Sequence, residues 1–177
     1  MKYIKRSIED LVNASNRTFK CVLVTGARQT GKSTMLKALF PDKKYVPIDD
    51  PFIEDQANEN PNMFMMLNPP PVFYDEVQRA PGLFRFIKIK CDESDERGQF
   101  CLSGSQPLEL MEKASESLSG RVSIIELSGL SLREIQGTST HLKVLFEALT
   151  KSSMLRLIYF IWITCIRQLL NLNLDLS

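Results

Sequence analysis

The chain has 177 residues, a length that suits one domain with a real core. Hydrophobic residues make up 44% and charged residues 24%, the ordinary balance of a globular protein. A net charge of +1, four cysteines without a C-x-x-C spacing and a single histidine exclude a charge-driven nucleic-acid or membrane-surface binder and argue against a zinc site.

The start, Met1-Lys2-Tyr3-Ile4-Lys5-Arg6, is basic, but no apolar core of signal-peptide type follows it. Ile4, Ile8, Leu11 and Val12 recur at helical spacing, so residues 4–16 are expected to form an amphipathic helix. The polar stretch at Asn13 to Asn16 should end it. Cys21-Val22-Leu23-Val24-Thr25 is a short apolar run, rich in β-branched residues, and reads as a buried strand.

Gly26-Ala27-Arg28-Gln29-Thr30-Gly31-Lys32-Ser33 follows and has the form G-x-x-x-x-G-K-S, a phosphate-binding P-loop. Residues 34–40 favour a helix that stops at Pro41, so the loop lies between a strand and a helix N-terminus. There, backbone N–H groups and the helix dipole meet a phosphate. Gly26 and Gly31 permit the backbone turns, Lys32 would reach the β- and γ-phosphates, and Ser33 would offer a hydroxyl to Mg²⁺. Thr34 completes the contact set.

Lys43-Lys44-Tyr45-Val46-Pro47-Ile48 reads as a second strand, placed at a sheet edge because Pro47 cannot donate to a ladder. Asp49 and Asp50 lie at its end. Two short helices broken near Pro61 are expected over residues 52–68, with Met63, Phe64, Met66 and Leu67 filling core. Val72-Phe73-Tyr74 is a third strand, ending in Asp75-Glu76. A helix after Pro81 and a charged turn at 91–98 precede a fourth strand, Gln99-Phe100-Cys101-Leu102, which ends in Ser103-Gly104-Ser105-Gln106. A helix over residues 107–117, a fifth strand over 122–127 and a capping-box start at Ser131-Leu132-Arg133-Glu134 complete the recognisable part.

Strands alternating with helices imply an α/β fold with a parallel sheet covered on both faces. Ligands in such folds bind beyond the C-terminal strand ends. The P-loop, Asp49 and Asp50, Asp75 and Glu76, and Ser105 and Gln106 all fall there. Asp75-Glu76 reads as a Walker B element: Asp75 would hold Mg²⁺ beside Ser33, and Glu76 would orient or deprotonate the attacking water. Ser105 or Gln106 would sense the γ-phosphate or position that water, although a plain turn explains them as well. Arg121 could serve as a cationic finger, in cis or from a neighbouring subunit, with a solvated or salt-bridged arginine as the competing reading. Arg28 and Arg79 are weaker candidates.

The run Thr25 to Thr34 resembles the P-loop of bacterial and archaeal AAA-like ATPases that carry a further C-terminal domain of unknown function. The likeness extends through Tyr74-Asp75-Glu76-Val77-Gln78-Arg79-Ala80-Pro81, Leu102 to Gln106, Glu116 to Arg121 and Leu130 to Ile135, covering about residues 1–136. The resemblance implies an AAA-like three-layer P-loop NTPase sandwich whose five-stranded, mainly parallel sheet runs in the order 5-1-4-3-2. It also implies ATP with Mg²⁺ as cofactors and ATP hydrolysis, and it raises Arg121 as a motif residue without fixing its role.

Beyond about Gly137 the resemblance stops. Leu142, Leu145, Phe146 and Leu149 fit an amphipathic helix; the apolar run 157–166 is too short to span a membrane; residues 170–176 alternate like a strand. Residues 137–177 are therefore expected to be an atypical tail: packed on the core, interfacial, or the remnant of a truncated second domain. Three functions compete. An ATPase would drive a conformational change in an unidentified protein partner or missing domain. A nucleotide-gated binding module would turn over negligibly. A small-molecule kinase would need a lid richer in arginine than residues 107–121 supply. A cytoplasmic location is expected, and a homo-oligomer is compatible with the sequence. The absence of an N-K-x-D motif favours adenine over guanine.

Overall fold

Alternation along the first strand sorts its surroundings into layers. A computed structural model describes residues 3–105, 112, 114 and 116–136. The elements are α1 (Glu9–Thr18), β1 (Cys21–Thr25), α2 (Lys32–Leu39), β2 (Lys44–Pro47), α3 (Pro51–Glu59), α4 (Pro61–Leu67), β3 (Val72–Asp75), a 3₁₀ turn (Val77–Arg79), α5 (Leu83–Glu93), β4 (Phe100–Gly104), β5 (Val122–Glu126) and a short helix, Leu132–Gln136. The chain divides into two compact units, residues 1–130 and 131–177.

The first unit holds a five-stranded sheet of order β2-β3-β4-β1-β5. This is the expected 5-1-4-3-2 order read from the other edge, and every adjacent pair is parallel. β1, β3 and β4 are buried along their whole length, which explains their nearly continuous apolar sequence. Successive side chains point to opposite faces. Cys21 and Leu23 join Val72, Tyr74, Phe100 and Leu102 in a core that packs on α3, α4 and α5. Val22 and Val24 join Phe73, Cys101 and Ile125 in the other core, closed by Val12 of α1 and Met35 and Leu36 of α2. Helix, sheet and helix make three layers. β2 occupies the edge that Pro47 demands.

Several local outcomes differ from the sequence reading. α1 begins at Glu9 rather than near residue 4 and runs through Thr18, past the polar stretch expected to stop it. Tertiary bonds use those polar groups: Ser123 Oγ donates to Ser15 Oγ at 3.0 Å, and Lys43 Nζ donates to Asn16 Oδ1 at 2.8 Å. The break at Pro61 is as expected, because Asn60 ends α3 and its side chain caps α4 by accepting from Met63 N–H. Of the apolar residues there, Phe64 and Met65 are core, whereas Met63, Met66 and Leu67 are exposed. Asp50 is a helix cap, its carboxylate accepting from Phe52 and Ile53 N–H at 3.0 and 3.2 Å.

Of the helix expected over 107–117, residues 112, 114, 116 and 117 are described and are helical. In the second unit, Ser131 and Glu134 form the reciprocal capping box: Ser131 N–H donates to Glu134 Oε2 at 2.7 Å, and Glu134 N–H to Ser131 Oγ at 3.2 Å. Gln106, Cys165 and the expected elements at 142–149, 157–166 and 170–176 lie outside the described residues. Among the described residues no helix is long and apolar enough to cross a membrane. Cys21, Cys91 and Cys101 are buried free thiols; burial pushes Cys91 up to about 11 and Cys101 up to about 12.

Leu23 is fully buried in β1, between β4 and β5. Leu23→Ala is expected to lower stability by about 3 kcal/mol in urea unfolding, through lost transfer energy and the cavity left behind. A loss below about 1 kcal/mol would contradict its place at the centre of the core.

Candidate functional site

The turn out of β1 shows why the loop needs glycine. Gly26 has φ 143°, and a Cβ there would meet the Leu127 carbonyl oxygen at 2.2 Å. That crowding comes from the strand leaving beside it, since Leu127 N–H donates to Thr25 O at 2.8 Å. Gly31 has φ 88° and is the N-cap of α2. No side chain caps α2 and its first turn carries no acidic residue. Its first N–H groups and the positive helix end are thus left for an anion. Ala27, Arg28 and Gln29 are exposed along the loop, and Gln29 takes a left-handed φ of 62°.

Lys32 is only 4% exposed. Its Nζ donates to Gly26 O at 3.0 Å and to Ala27 O at 2.8 Å, so the ammonium folds back across the loop. Burial lowers its pKa, while the carboxylates of Glu76 and then Asp75 oppose that shift. Both acids therefore lie near the Lys32 ammonium.

Asp75 ends β3 on the face turned toward α2. Ser33 Oγ donates to its Oδ1 at 2.8 Å, Tyr45 Oη donates to its Oδ2 at 2.9 Å, and Ser103 Oγ also donates to Oδ1. Burial, followed by the bond to Asp75, pushes the Tyr45 phenol well above its usual range. Lys37 Nζ stands 3.4 Å above the Tyr45 ring centre. The Ser33 hydroxyl and Asp75 carboxylate are hard oxygen donors already in contact, which fits a Mg²⁺ whose remaining ligands are phosphate and water.

Glu76 follows with φ 57° and ψ 46°, a left-handed backbone that costs a non-glycine residue about 1 kcal/mol. Its N–H donates to Ser103 Oγ at 3.3 Å. Its Oε2 accepts from Ser105 Oγ at 2.7 Å and from Gln78 Nε2 at 2.5 Å. The P-loop, Asp75, Glu76 and Ser105 are thus gathered at one end of the sheet, where β1, β3 and β4 finish.

Arg121 is elsewhere. It immediately precedes β5, whose Val122 pairs with Cys21, so it stands at the end of the sheet opposite the loop. Five strand residues separate the two ends, about 16 Å. Arg121 Nε donates to Asp92 Oδ1 at 2.5 Å and Nη1 to Ser119 O at 2.8 Å. Of the readings weighed for Arg121, within this chain the salt-bridged arginine is the one observed. Arg79 pairs with Glu54 at 2.8 Å.

Sequence reading missed Tyr45, Ser103, Gln78 and Arg6. Arg6 is buried; it donates to Thr30 O at 2.7 Å, Ser128 O at 2.7 Å and Gly129 O at 3.1 Å. It ties the P-loop to the segment leaving β5. Beside it, a cavity of about 520 Å³ is lined by Tyr3, Ile4, Thr34, Leu130 and loop residues 28–31. The available signals were a serine inside an apolar strand and an arginine in an otherwise amphipathic start; neither names a partner.

A parallel sheet of this order, with a P-loop after β1 and paired acids at the end of β3, defines an AAA P-loop NTPase fold. A family model described as AAA domain matches residues 18–136, and the chain belongs to that family. Membership suggests nucleotide binding. The chain is also similar to uncharacterized proteins of Mycobacterium bovis and Mycobacterium tuberculosis. Each is 33% identical over 115 residues, a stretch that is 64% of this chain and 26% of the relative. The chain thus spans about a quarter of the length of these curated relatives.

Gly26→Ala is expected to weaken nucleotide binding at least tenfold in calorimetric titration, because both the φ and the Leu127 carbonyl oppose a Cβ. Unchanged affinity would show that the loop does not hold the ligand in this conformation.

Proposed function

We propose that this chain binds Mg-ATP at Gly26 to Thr34 and hydrolyses it. The observation that carries the reading is the 2.8 Å contact between Ser33 and Asp75, with Glu76 one residue on and Lys32 folded over the loop. In this reading the β- and γ-phosphates replace the Gly26 and Ala27 carbonyls as partners of Lys32. The first N–H groups of α2 hold the phosphate oxygens. Ser33 and Asp75 would hold Mg²⁺, which neutralises phosphate charge. The cavity beside Arg6 suits the nucleoside in size and adjacency. Glu76 accepts a proton from water as its oxygen bonds to the γ-phosphorus and the bond to the β–γ bridging oxygen breaks, giving ADP and phosphate. Ser105, and by the sequence pattern Gln106, serve the γ-phosphate end.

Residues 1–136 form the nucleotide-binding domain in this proposal, and turnover drives a conformational change in a protein partner or a further domain. The buried free thiols suit a reducing cytoplasm. A second reading, a nucleotide-gated module with negligible turnover, is favoured by one observation: Arg121 is engaged by Asp92 at the opposite sheet end. A neighbouring copy would then have to supply the cation.

Lys32→Ala is expected to weaken ATP binding at least tenfold. Glu76→Gln should retain binding while phosphate release falls roughly 100-fold or more. Equal phosphate release by Glu76→Gln and wild type would remove Glu76 from the chemistry. Tight ATP binding with no phosphate release from wild type would favour the gated module.

A further inference from the structure

Glu76, the acid that follows β3, does not hold its position alone. Gln78 stands one residue into the 3₁₀ turn that comes next, and its side chain turns back. Gln78 Nε2 donates to Glu76 Oε2 at 2.5 Å and to Ser105 Oγ at 3.2 Å, while Ser105 Oγ donates to the same Glu76 Oε2 at 2.7 Å. The three side chains close a triangle that joins the ends of β3 and β4. The orientation of the amide follows from chemistry, because a carboxylate oxygen at 2.5 Å requires a donor. The amide oxygen, Oε1, is left buried with no hydrogen-bond partner among the described residues.

That orphan acceptor argues against a packing role. An unpaired buried carbonyl oxygen is costly, and an apolar side chain of similar size would fill the space without it. Glutamine is useful here for its N–H₂ group, which faces a carboxylate. The carboxylate itself hangs from a left-handed backbone that positions no side chain well unless its surroundings hold it.

Given the hydrolysis reading above, on which this rests, we infer that Gln78 is a positioning residue for Glu76: with Ser105 it pins Oε2, so that Oε1 is presented to the attacking water. Both donors act on Oε2, and neither bonds to Oε1. Gln78 touches no reacting atom. Its effect should fall on the chemical step, since orientation of the base matters only when the proton moves. Binding of phosphate by the loop does not involve it.

The test compares wild type, Gln78→Ala, Gln78→Glu, Ser105→Ala, the Gln78→Ala/Ser105→Ala double variant and Glu76→Gln. The probe is Mg-ATP, with Kd by calorimetry, kcat and KM by phosphate release, and melting temperature. Gln78→Ala is expected to lower kcat about 10- to 100-fold, with Kd and KM within about twofold of wild type. Gln78→Glu keeps the shape, removes the donor and should lose at least as much. The double variant should lose less than the product of the single losses, because both donors serve one oxygen. Hydrolysis that Glu76→Gln abolishes and Gln78→Ala leaves unchanged would overturn this inference alone. So would a loss in Gln78→Ala carried wholly by KM, or matched by a fall in melting temperature. Wild type that binds ATP and never releases phosphate would overturn the hydrolysis reading and this inference together.

Discussion

One buried carboxylate holds the site end of the sheet in register. Asp75 is 4% exposed, and three hydroxyl donors converge on it from three different elements: Ser33 from α2, Tyr45 from β2 and Ser103 from β4. A buried carboxylate without partners is strongly disfavoured, so these donors and the ends of their elements are drawn together. Ser103 also accepts the Glu76 N–H, which extends the arrangement to the next acid. The P-loop helix, the edge strand and two central strands are thereby aligned around one point. A metal ion entering there would meet an oxygen set whose geometry the fold has already fixed.

The second constraint is the narrow passage beside Gly26. β1 lies between β4 and β5, and the chain leaving β5 runs against the P-loop. Arg6 closes the same region by bonding the carbonyls of Thr30, Ser128 and Gly129. The loop is therefore braced from its outer side by backbone and by a buried guanidinium. Its inner side keeps the first N–H groups of α2 uncapped by side chains. Lys32 folds across the loop, on carbonyl oxygens that are weaker partners for an ammonium than a phosphate is.

Much of this could be read from residues alone, for definite reasons. Val22 to Val24 and Val72 to Tyr74 are apolar because their strands are buried on both faces, a pattern independent of what packs on them. Gly26, Gly31, Lys32 and Ser33 stand out because the P-loop motif sets residue types at fixed spacing. Pro47 marked the edge strand because its missing N–H excludes a central place. Tyr45, Ser103 and Gln78 were not legible. Their roles come from strand register and from which face a side chain takes, and a chain read in order contains neither. The choice between the readings of Arg121 was not legible for the same reason. Its motif looks catalytic, but its place at the start of β5 puts it at the far end of the sheet. The polar run through Ser15 and Asn16 looked like a helix end because the tertiary partners Ser123 and Lys43 were invisible.

The account stands or falls on whether Ser33 and Asp75 make the loop a metal–nucleotide site rather than a general anion cradle. The most direct measurement is calorimetric titration of ATP into wild type and Asp75→Asn, each with and without Mg²⁺. The account predicts that Mg²⁺ tightens ATP binding to wild type several-fold or more and has little effect on Asp75→Asn. Equal Mg²⁺ dependence in the two proteins, or no ATP binding by wild type, would contradict it.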